Sequence, residues 1–357
     1  MISGRIHRHE VLRRWPALPV AIFLSVLPTP RVDDLPPPIE VVVAGIPRLV
    51  PPRSTVEEAL MMIGVEPEAG DLVDVEGLTL KLDEFPGTVV VNGEEAVRSR
   101  RLSAGDSLEL IDARNRIEPV SVDVVPVPEG GLPNPQAHVG SIPGEQVITT
   151  GAISGKLVSS AFRPAGDASP PPAVALTFDD GPSPTYTSRI LRVLGRFHVT
   201  ATFFVVGYLA RRYPDIVRDV LRAGMALGNH SMNHPAAKPF ADLPPHEIRE
   251  QIEKGHRSVV SFGVEPAGFR PPGGSWSNSV RDVASSVGER IVLWSVDSED
   301  FEAGKPRVLA ARVVAQAEAG SIILLHDGGG NRAATLRALP RIINGLRREG
   351  LGFVTLG

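Results

Sequence analysis

The sequence has no cysteine among its 357 residues and no concentrated stretch of positive charge. Without thiolates, disulfides and cysteine-ligated zinc are excluded, so any metal ion must be bound by His, Asp or Glu. The formal net charge is -4 and no basic stripe is present, which argues against a nucleic-acid partner. Hydrophobic residues make up 42% of the chain and charged residues 22%, so a globular core is feasible.

A long membrane-spanning run is also missing from the N-terminus. The apolar run over residues 17–27 is shorter than the ~20 residues that a spanning helix needs, and Pro28 closes it. Basic residues precede it, which is the layout of an export signal or a poor membrane anchor. We therefore interpret residues 1–38 as such a segment followed by a proline-rich linker. An extracytoplasmic protein, secreted or anchored at the cell envelope, is expected, and cleavage of the segment is left open.

Residues 39–118 have the pattern of a small α+β module. A strand is predicted over 39–43, a helix behind Ser54 and Thr55 that ends at Gly64, and further strands over 88–91 and near 108–111. This order resembles a β-grasp (ubiquitin-like) module, whose partner the sequence leaves open. Residues 119–172 are rich in proline and glycine and are predicted to form a linker with a possible hairpin over 146–149 and 156–158.

From residue 173 onward, short apolar runs alternate with amphipathic segments. Strands are predicted over 173–178, 201–206, 226–228, 268–270, 291–296, 321–325 and 352–355. Helices are predicted over 185–197, 214–223, 245–261, 278–287, 305–318 and 332–348. This alternation indicates a parallel sheet covered by helices, either an α/β barrel or an open doubly wound sheet. In both, ligands bind at the carboxyl ends of the strands.

Titratable residues stand at those ends. Asp179 and Asp180 follow the first strand, and two adjacent carboxylates need a counter-charge such as a metal ion or an arginine. His230 and His234 follow the third strand. On a helical turn their rings would share one face, so with Asp180 they could bind one metal ion and leave positions open for water and substrate.

The later strand ends add a cation and a further histidine. Arg270 heads the run Arg270-Pro271-Pro272-Gly273-Gly274 and can keep a neighbouring carboxylate ionised, while the glycines allow backbone N–H groups to approach a ligand. His326 ends a buried strand, which suits a general acid, and a nearby carboxylate would raise its pKa.

These motifs, in this order, resemble the polysaccharide deacetylases of carbohydrate esterase family 4 (the NodB-homology domain) over about residues 173–357. The motifs are Thr177-Phe178-Asp179-Asp180-Gly181, His230-Ser231-Met232-Asn233-His234, Arg270-Pro271-Pro272-Gly273, Asp297-Ser298-Glu299-Asp300-Phe301 and Leu324-Leu325-His326-Asp327. The resemblance implies an incomplete or distorted (β/α) barrel as the catalytic domain, preceded by the small α+β domain.

The resemblance also implies roles for individual residues. Asp180, His230 and His234 would bind a divalent metal ion, usually zinc, with cobalt or another divalent ion as alternatives. Asp179 would be the general base paired with Arg270, and His326 the general acid oriented by Asp300. Substrate and oxyanion contacts would fall on Pro272, Gly273, Gly274, Phe301 and Leu324. The family usually has an aromatic residue after the arginine-proline motif and tryptophan where Phe301 stands, so these departures bear on substrate preference.

The expected activity is metal-dependent removal of N-acetyl groups from a polysaccharide that contains N-acetylglucosamine, with an envelope glycan such as peptidoglycan as the partner. Two alternatives stay open at this point. The first is an O-deacetylase on acetylated xylan or a similar glycan, and the second is a catalytically silent envelope protein that binds glycan.

Overall fold

The computed structural model describes residues 36–140, 142–302 and 304–357. The predicted export segment over residues 15–28 lies outside these ranges. Among the described residues, the helices are all too short or too polar to cross a bilayer. The chain divides into two units, one up to Pro67 together with Thr88–Ile111, and the other made of Glu68–Gly87 and Asp112–Gly357.

The strands in the described ranges are β1 (Ile39–Val43), β2 (Ile46–Val50), β3 (Gly70–Val73), β4 (Thr79–Phe85), β5 (Thr88–Val91), β6 (Glu94–Glu95), β7 (Ser107–Ile111), β8 (Arg116–Ile117), β9 (Val120–Val127), β10 (Gly144–Gly151), β11 (Leu157–Pro164), β12 (Ala173–Gly181), β13 (Thr202–Val205), β14 (Ala226–Asn229), β15 (Val296–Asp297), β16 (Ile322–His326) and β17 (Gly352–Phe353). The α-helices are α1 (Val56–Ile63), α2 (Thr187–Phe197), α3 (Gly207–Arg212), α4 (Pro214–Arg222), α5 (Pro245–Val260), α6 (Asn278–Ser286), α7 (Pro306–Gln316) and α8 (Ala333–Arg348). Each helix predicted after residue 173 is present, and α3 was not predicted.

The smaller unit is a five-stranded mixed sheet with one helix. The strand order is β2-β1-β7-β5-β6, in which β1 and β7 are adjacent and parallel. Helix α1 starts at a capping box in which Thr55 and Glu58 each bind the other's backbone N–H, and Gly64 ends it with a φ of 75°. Buried residues of α1 and of the strands form one core, so this unit has the α+β character expected from the sequence. The resemblance to a β-grasp module stays a prediction.

The predicted module over 39–118 is divided between the two units. Strand β3 pairs with β4 and, in parallel, with β8, so residues 68–87 belong with the chain that follows residue 112. The predicted linker over 119–172 contains the antiparallel sheet β11-β10-β9, which includes the predicted hairpin as β10 and β11. Proline-rich composition indicated a linker, but three eight-residue strands pair within this segment.

From residue 173 onward, the larger unit is a distorted parallel barrel. Its sheet has the order β14-β13-β12-β16-β15 with all neighbours parallel. Parallel bridges from Asn229 to Phe269 and from Phe269 to Ile291 continue it, and Ile291 leads along the chain to β15. The ring therefore returns to its start, although the predicted strands over 268–270 and 291–296 are reduced to bridges and two residues of β15.

Strand β12 is the middle strand in this order and is buried from Val174 to Asp179. Its apolar side chains and those of β13 and β16 pack against α2, α4, α7 and α8 in one core. A second core joins α5 and α6 to Phe269, Ile291 and Leu293. Because the strands run parallel, the residues that follow β12, β14, β15 and β16 meet at one end of the barrel.

Candidate active site

Three predicted metal ligands come together at the carboxyl end of the barrel. Asp180, His230 and His234 each offer one ligand atom within 4.8 Å of the others. Asp180 Oδ1 lies 3.4 Å from Nε2 of His230 and 3.2 Å from Nε2 of His234. A tetrahedral ion with bonds of ~2.0–2.1 Å separates its ligand atoms by roughly 3.3 Å.

The chemistry of these atoms also fits a cation. Asp180 Oδ1 is buried and has no hydrogen-bond partner among the described residues. His230 Nδ1 lies 2.7 Å from the carbonyl oxygen of Arg270, so it donates its proton there and its Nε2 lone pair points to Asp180. A buried carboxylate oxygen between two imidazole nitrogens is stabilised by a bound divalent ion.

The loop that carries the two histidines is not the helical turn that the spacing predicted. Ser231 and His234 have φ values of 64° and 51°, in the left-handed region, and the two residues between them, Met232 and Asn233, form a bend. The hydroxyl of Ser231 accepts a hydrogen bond from His234 N, and the side chain of Asn229 accepts one from Ser231 N. These local hydrogen bonds hold the loop in a conformation that regular helix does not allow, and both rings still reach Asp180.

The other carboxylate of the pair, Asp179, is bound by a buried arginine. Arg270 is fully buried, and its Nη1 donates to Asp179 Oδ1 at 2.8 Å and to Thr177 Oγ1 at 2.7 Å. The remaining guanidinium donors bind the carbonyl oxygens of Val292 and Leu293. Its charge is therefore compensated by Asp179, and the arginine fixes the direction of that carboxylate. Asp179 Oδ2 lies 3.9 Å from His230 Nε2, on the side of the metal ligands.

Asp179 and Asp180 point to different partners because the backbone turns between them. Asp180 has a φ of 69°, and the register with β13 shifts between Asp179 and Gly181. In a regular strand, the side chains of Asp179 and Asp180 would point to opposite faces of the sheet, and one of the two would point away from the site. The bulge keeps both carboxylates at the strand end and close to the same imidazole.

His326, the last residue of β16, is paired with Asp300. His326 Nδ1 donates to Asp300 Oδ1 at 2.6 Å, and Asp300 Oδ2 accepts from His326 N and from the hydroxyl of Thr335. Burial alone lowers the pKa of His326, but the hydrogen bond and charge of Asp300, with the charges of Asp180 and Asp179, raise it to about 9. His326 is thus protonated at neutral pH, and its Nε2 is the nitrogen left for substrate.

The predicted substrate-contacting residues lie at different depths. Pro272–Gly274 is a short 3-10 turn in which Gly273 is exposed with a φ of 61°. The side chain of Phe301 is 53% exposed and meets the ring of His326 edge-on, with 6.3 Å between the centroids. Leu324 is only 4% exposed, within the sheet. The exposed members of this set are therefore Gly273 and Phe301.

Sequence reasoning missed three supporting residues. Thr177 accepts a hydrogen bond from Arg270, and Thr335 donates one to Asp300, so the two threonines orient these side chains. Asp327 is buried, accepts a hydrogen bond from Thr187, and has its pKa raised by burial to about 7. Thr177 and Asp327 stood inside the quoted motifs, but a hydroxyl or carboxylate within a buried run carries no local signal of its partner.

Comparison with known proteins identifies the class. A sequence model of the polysaccharide deacetylase family matches residues 166–292. A peptidoglycan-N-acetylglucosamine deacetylase of Bacillus cereus is 39% identical over 185 residues, which are 51% of this chain and 85% of that protein. A chitooligosaccharide deacetylase of Azorhizobium caulinodans is 34% identical over 197 residues, 52% of this chain and 92% of the relative.

Solved structures are similar over the same half of the chain. A family 4 carbohydrate esterase from Streptomyces lividans, solved with acetate, is 33% identical, with 52% of this chain and 93% of that chain covered and a TM-score of 0.48. From the sequence relatives, the chain belongs to the polysaccharide deacetylase family. As a member of that family it is a hydrolase of the polysaccharide deacetylase class.

Proposed function

We propose that this protein is a metal-dependent N-deacetylase of a polysaccharide that contains N-acetylglucosamine. The observation that carries the proposal is the division of the two adjacent carboxylates. Asp180 faces two imidazole nitrogens, and Asp179 is held by Arg270 with its second oxygen toward the same place. Metal-dependent amide hydrolysis uses a water molecule that is deprotonated beside a Lewis acid, and this arrangement provides a base and a cation site within one strand end.

Asp180, His230 and His234 would hold the ion, with zinc as the first candidate because two imidazoles and one carboxylate form an open tetrahedral set. A divalent ion held by these residues would supply Lewis-acid polarisation of the acetyl carbonyl and would lower the pKa of a bound water. Cobalt or another divalent ion has the same requirements for charge and ligands, so the metal identity is part of the test below.

Asp179 is proposed as the general base. Arg270 occupies Oδ1, so Oδ2 is the oxygen available to take the water proton. The carboxylate stays in place during the reaction because Arg270 is itself held by Thr177 and by two backbone carbonyls. Positioning of this kind lowers the barrier without movement of the catalytic group.

The backbone N–H of Gly273 is proposed as the donor to the oxyanion that forms at the acetyl carbonyl oxygen when water attacks the carbonyl carbon. Gly273 is exposed, and the turn Pro272–Gly274 keeps it beside the barrel end. A single preorganised donor of this type is worth ~3–4 kcal/mol in other hydrolases. No side chain stands on Gly273, so substrate can approach the N–H closely.

His326 is proposed as the general acid that protonates the leaving amine. The Asp300 carboxylate orients the ring and raises the pKa of His326, so the proton is present at neutral pH. Phe301 covers one edge of the ring and provides an apolar wall. Asp179 must be ionised while His326 is protonated, which predicts a bell-shaped pH profile.

The proposed substrate is a cell-envelope glycan such as peptidoglycan, acted on outside the cytoplasm. Two observations support this. Relatives are named as peptidoglycan deacetylases, and residues 1–27 have the basic-then-apolar composition of an export signal or anchor. Cell-wall or membrane association would then come from this N-terminal segment.

Acetate release tests the proposal. The full chain would be assayed on acetylated chito-oligosaccharides, on peptidoglycan and on acetylated xylan, each with and without a chelator, and its bound metal would be measured. We expect acetate from the first two substrates, loss of activity with chelator, and recovery with zinc. Acetate from xylan alone would replace N-deacetylation with ester hydrolysis, and activity after complete metal removal would overturn the metal dependence.

A further inference from the structure

A cleft of about 430 Å³ opens beside His234, a volume within the range of ligand-binding pockets. One wall belongs to the active-site turn with Gly273. The opposite wall is the turn between β3 and β4, which lies more than 140 residues earlier in the chain than His234. The residues that line the cleft include Glu76, Leu78, Lys156, His234 and Gly273.

The β3–β4 turn, residues 74–78, is closely held in one conformation. Asp74 is fully buried, and its Oδ1 accepts hydrogen bonds of 2.9 Å from the backbone N–H groups of Glu76 and Leu78. Asp74 N donates to the carbonyl of Leu78, and Gly77 N donates to the carbonyl of Asp74. Four hydrogen bonds within five residues make this turn a rigid feature.

A buried lysine attaches the turn to the catalytic part of the same unit. Lys156 Nζ lies 2.7 Å from Asp74 Oδ2 and 2.5 Å from Glu76 Oε2, and Lys156 is only 8% exposed. Burial alone would raise the pKa of Asp74, but Lys156 and the two backbone donors lower it. This buried ion pair holds the β3–β4 turn against Lys156, because separating the two would leave buried charges without a partner.

The same lysine segment contacts the active-site turn. A Cβ on Gly273 would lie 3.7 Å from Lys156 Cε. One residue earlier, the carbonyl of Gly155 accepts a hydrogen bond from Trp276 N, and the carbonyl of Ser154 accepts one from the hydroxyl of Ser275. Residues 154–156 therefore connect the β3–β4 turn to the loop that carries Gly273. These contacts fix the distance between the turn and the loop, and so the width of the cleft.

The tip of the β3–β4 turn is left to solvent. The side chain of Glu76 is 53% exposed, and its Oε1 has no hydrogen bond among the described residues. Leu78 is 41% exposed. An acceptor oxygen beside an apolar side chain matches a sugar ring, which offers hydroxyl and amide N–H donors at its edge and C–H groups on its face.

We propose that the β3–β4 turn is a substrate-recognition wall for a sugar residue that adjoins the residue being deacetylated. Glu76 Oε1 accepts a hydrogen bond from that sugar, and Leu78 packs on its apolar face. Lys156 and Asp74 are positioning residues that hold the wall. This inference rests on the proposed function. When the acetyl group of one sugar lies at the metal ligands, the neighbouring sugars of the polymer must lie outside the site, and the adjoining cleft offers room for one of them.

Binding of chito-oligosaccharides of two lengths tests the proposal separately from catalysis. Dissociation constants of the disaccharide and of the pentasaccharide would be measured for the full chain and for Glu76→Gln. We expect roughly fivefold weaker pentasaccharide binding in the variant, because the neutral amide oxygen accepts a weaker hydrogen bond than the carboxylate, and unchanged disaccharide binding. Glu84→Gln is the matched control, because Glu84 lies in the same hairpin and pairs with exposed Lys81.

A second variant tests the positioning role. Asp74→Asn combined with Lys156→Met removes both charges together, which avoids a buried unpaired ion, and should reproduce the length-dependent loss while the disaccharide still binds. Equal pentasaccharide affinity in Glu76→Gln and the parent protein, or an equal loss for both lengths, would overturn the proposal. Absence of acetate release with intact pentasaccharide binding would instead contradict the proposed function alone.

Discussion

Arg270 donates a hydrogen bond of 2.8 Å to Asp179 although the arginine has no exposed surface. A buried guanidinium needs its counter-charge, and the carboxylate in turn is fixed with one oxygen toward the metal ligands. The pair thus serves both the fold and the proposed base.

Asp179→Asn should lower the turnover number for acetate release by ~10²–10⁴-fold, the usual contribution of a general base. The metal ligands are not changed, so the purified variant should contain as much zinc as the parent protein. Acetate assay and metal analysis check the two statements. Asp215→Asn is the control, because Asp215 lies on the exposed face of α4 and should keep full activity. A variant with more than a tenth of the parent turnover would contradict the assignment.

His234→Ala should weaken metal binding by at least ~10–100-fold, because one of the three proposed ligands is lost. Activity at limiting zinc should fall, and part of it should return at high zinc concentration. A zinc titration monitored by acetate release measures this. His246→Ala is matched, since His246 is exposed at the start of α5 and outside the cluster. Identical zinc dependence in the two variants would argue against the cluster.

Asp300→Asn should shift the alkaline limb of the pH profile to lower pH. The hydrogen bond and charge of Asp300 are the largest of the effects that raise the pKa of His326, to about 9 together with the charges of Asp180 and Asp179, so the proton donor of the parent protein is lost as the pH rises toward that value. Without the carboxylate the donor is lost at lower pH. The raised pKa also stabilises the folded state fully below the ordinary histidine pKa of ~6.5, a contribution that disappears as the pH approaches 9.

Two measurements on Asp300→Asn check this prediction. Turnover from pH 6 to 10 should show the displaced limb, and the free energy of unfolding should differ from the parent value more at pH 6 than at pH 9.5. An unchanged alkaline limb with reduced turnover at every pH would mean that Asp300 orients the ring of His326 but does not raise its pKa.

Gly181→Ala should destabilise the fold by ~1–3 kcal/mol, the usual cost of an added methyl group in a packed site. A Cβ at this position would lie 2.3 Å from Asp327 Oδ2 and 2.4 Å from Oδ1, so the buried carboxyl group must move. The free energy of unfolding from urea titration measures the change. Gly195→Ala is the control, since Gly195 lies in α2 with open space around its Cβ position, and it should stabilise by ~0.5–1 kcal/mol. Equal effects of both substitutions would refute the close contact.

The sequence by itself determined where the site lies. Buried apolar runs end at Asp179, His230, Arg270 and His326, and a parallel sheet places such ends together, so the candidate residues could be named before any coordinates were known. The order of strands and helices after residue 173 was also readable, with the helix ends within about two residues of the prediction. These strand and helix positions follow from the spacing of apolar residues and from the places of proline and glycine, because each of these acts over only a few residues.

Only the tertiary structure decided how the parts are connected. The pairing of β3 with β8 and the ion pair of Lys156 with Asp74 join residues more than 40 positions apart, and they move residues 68–87 from the predicted small module into the unit that carries the site. The loop Ser231–His234 is not helical, because its own hydrogen bonds and left-handed residues outweigh the expectation from histidine spacing. Contacts of this kind depend on which surfaces meet after folding, and no short pattern in the chain encodes them.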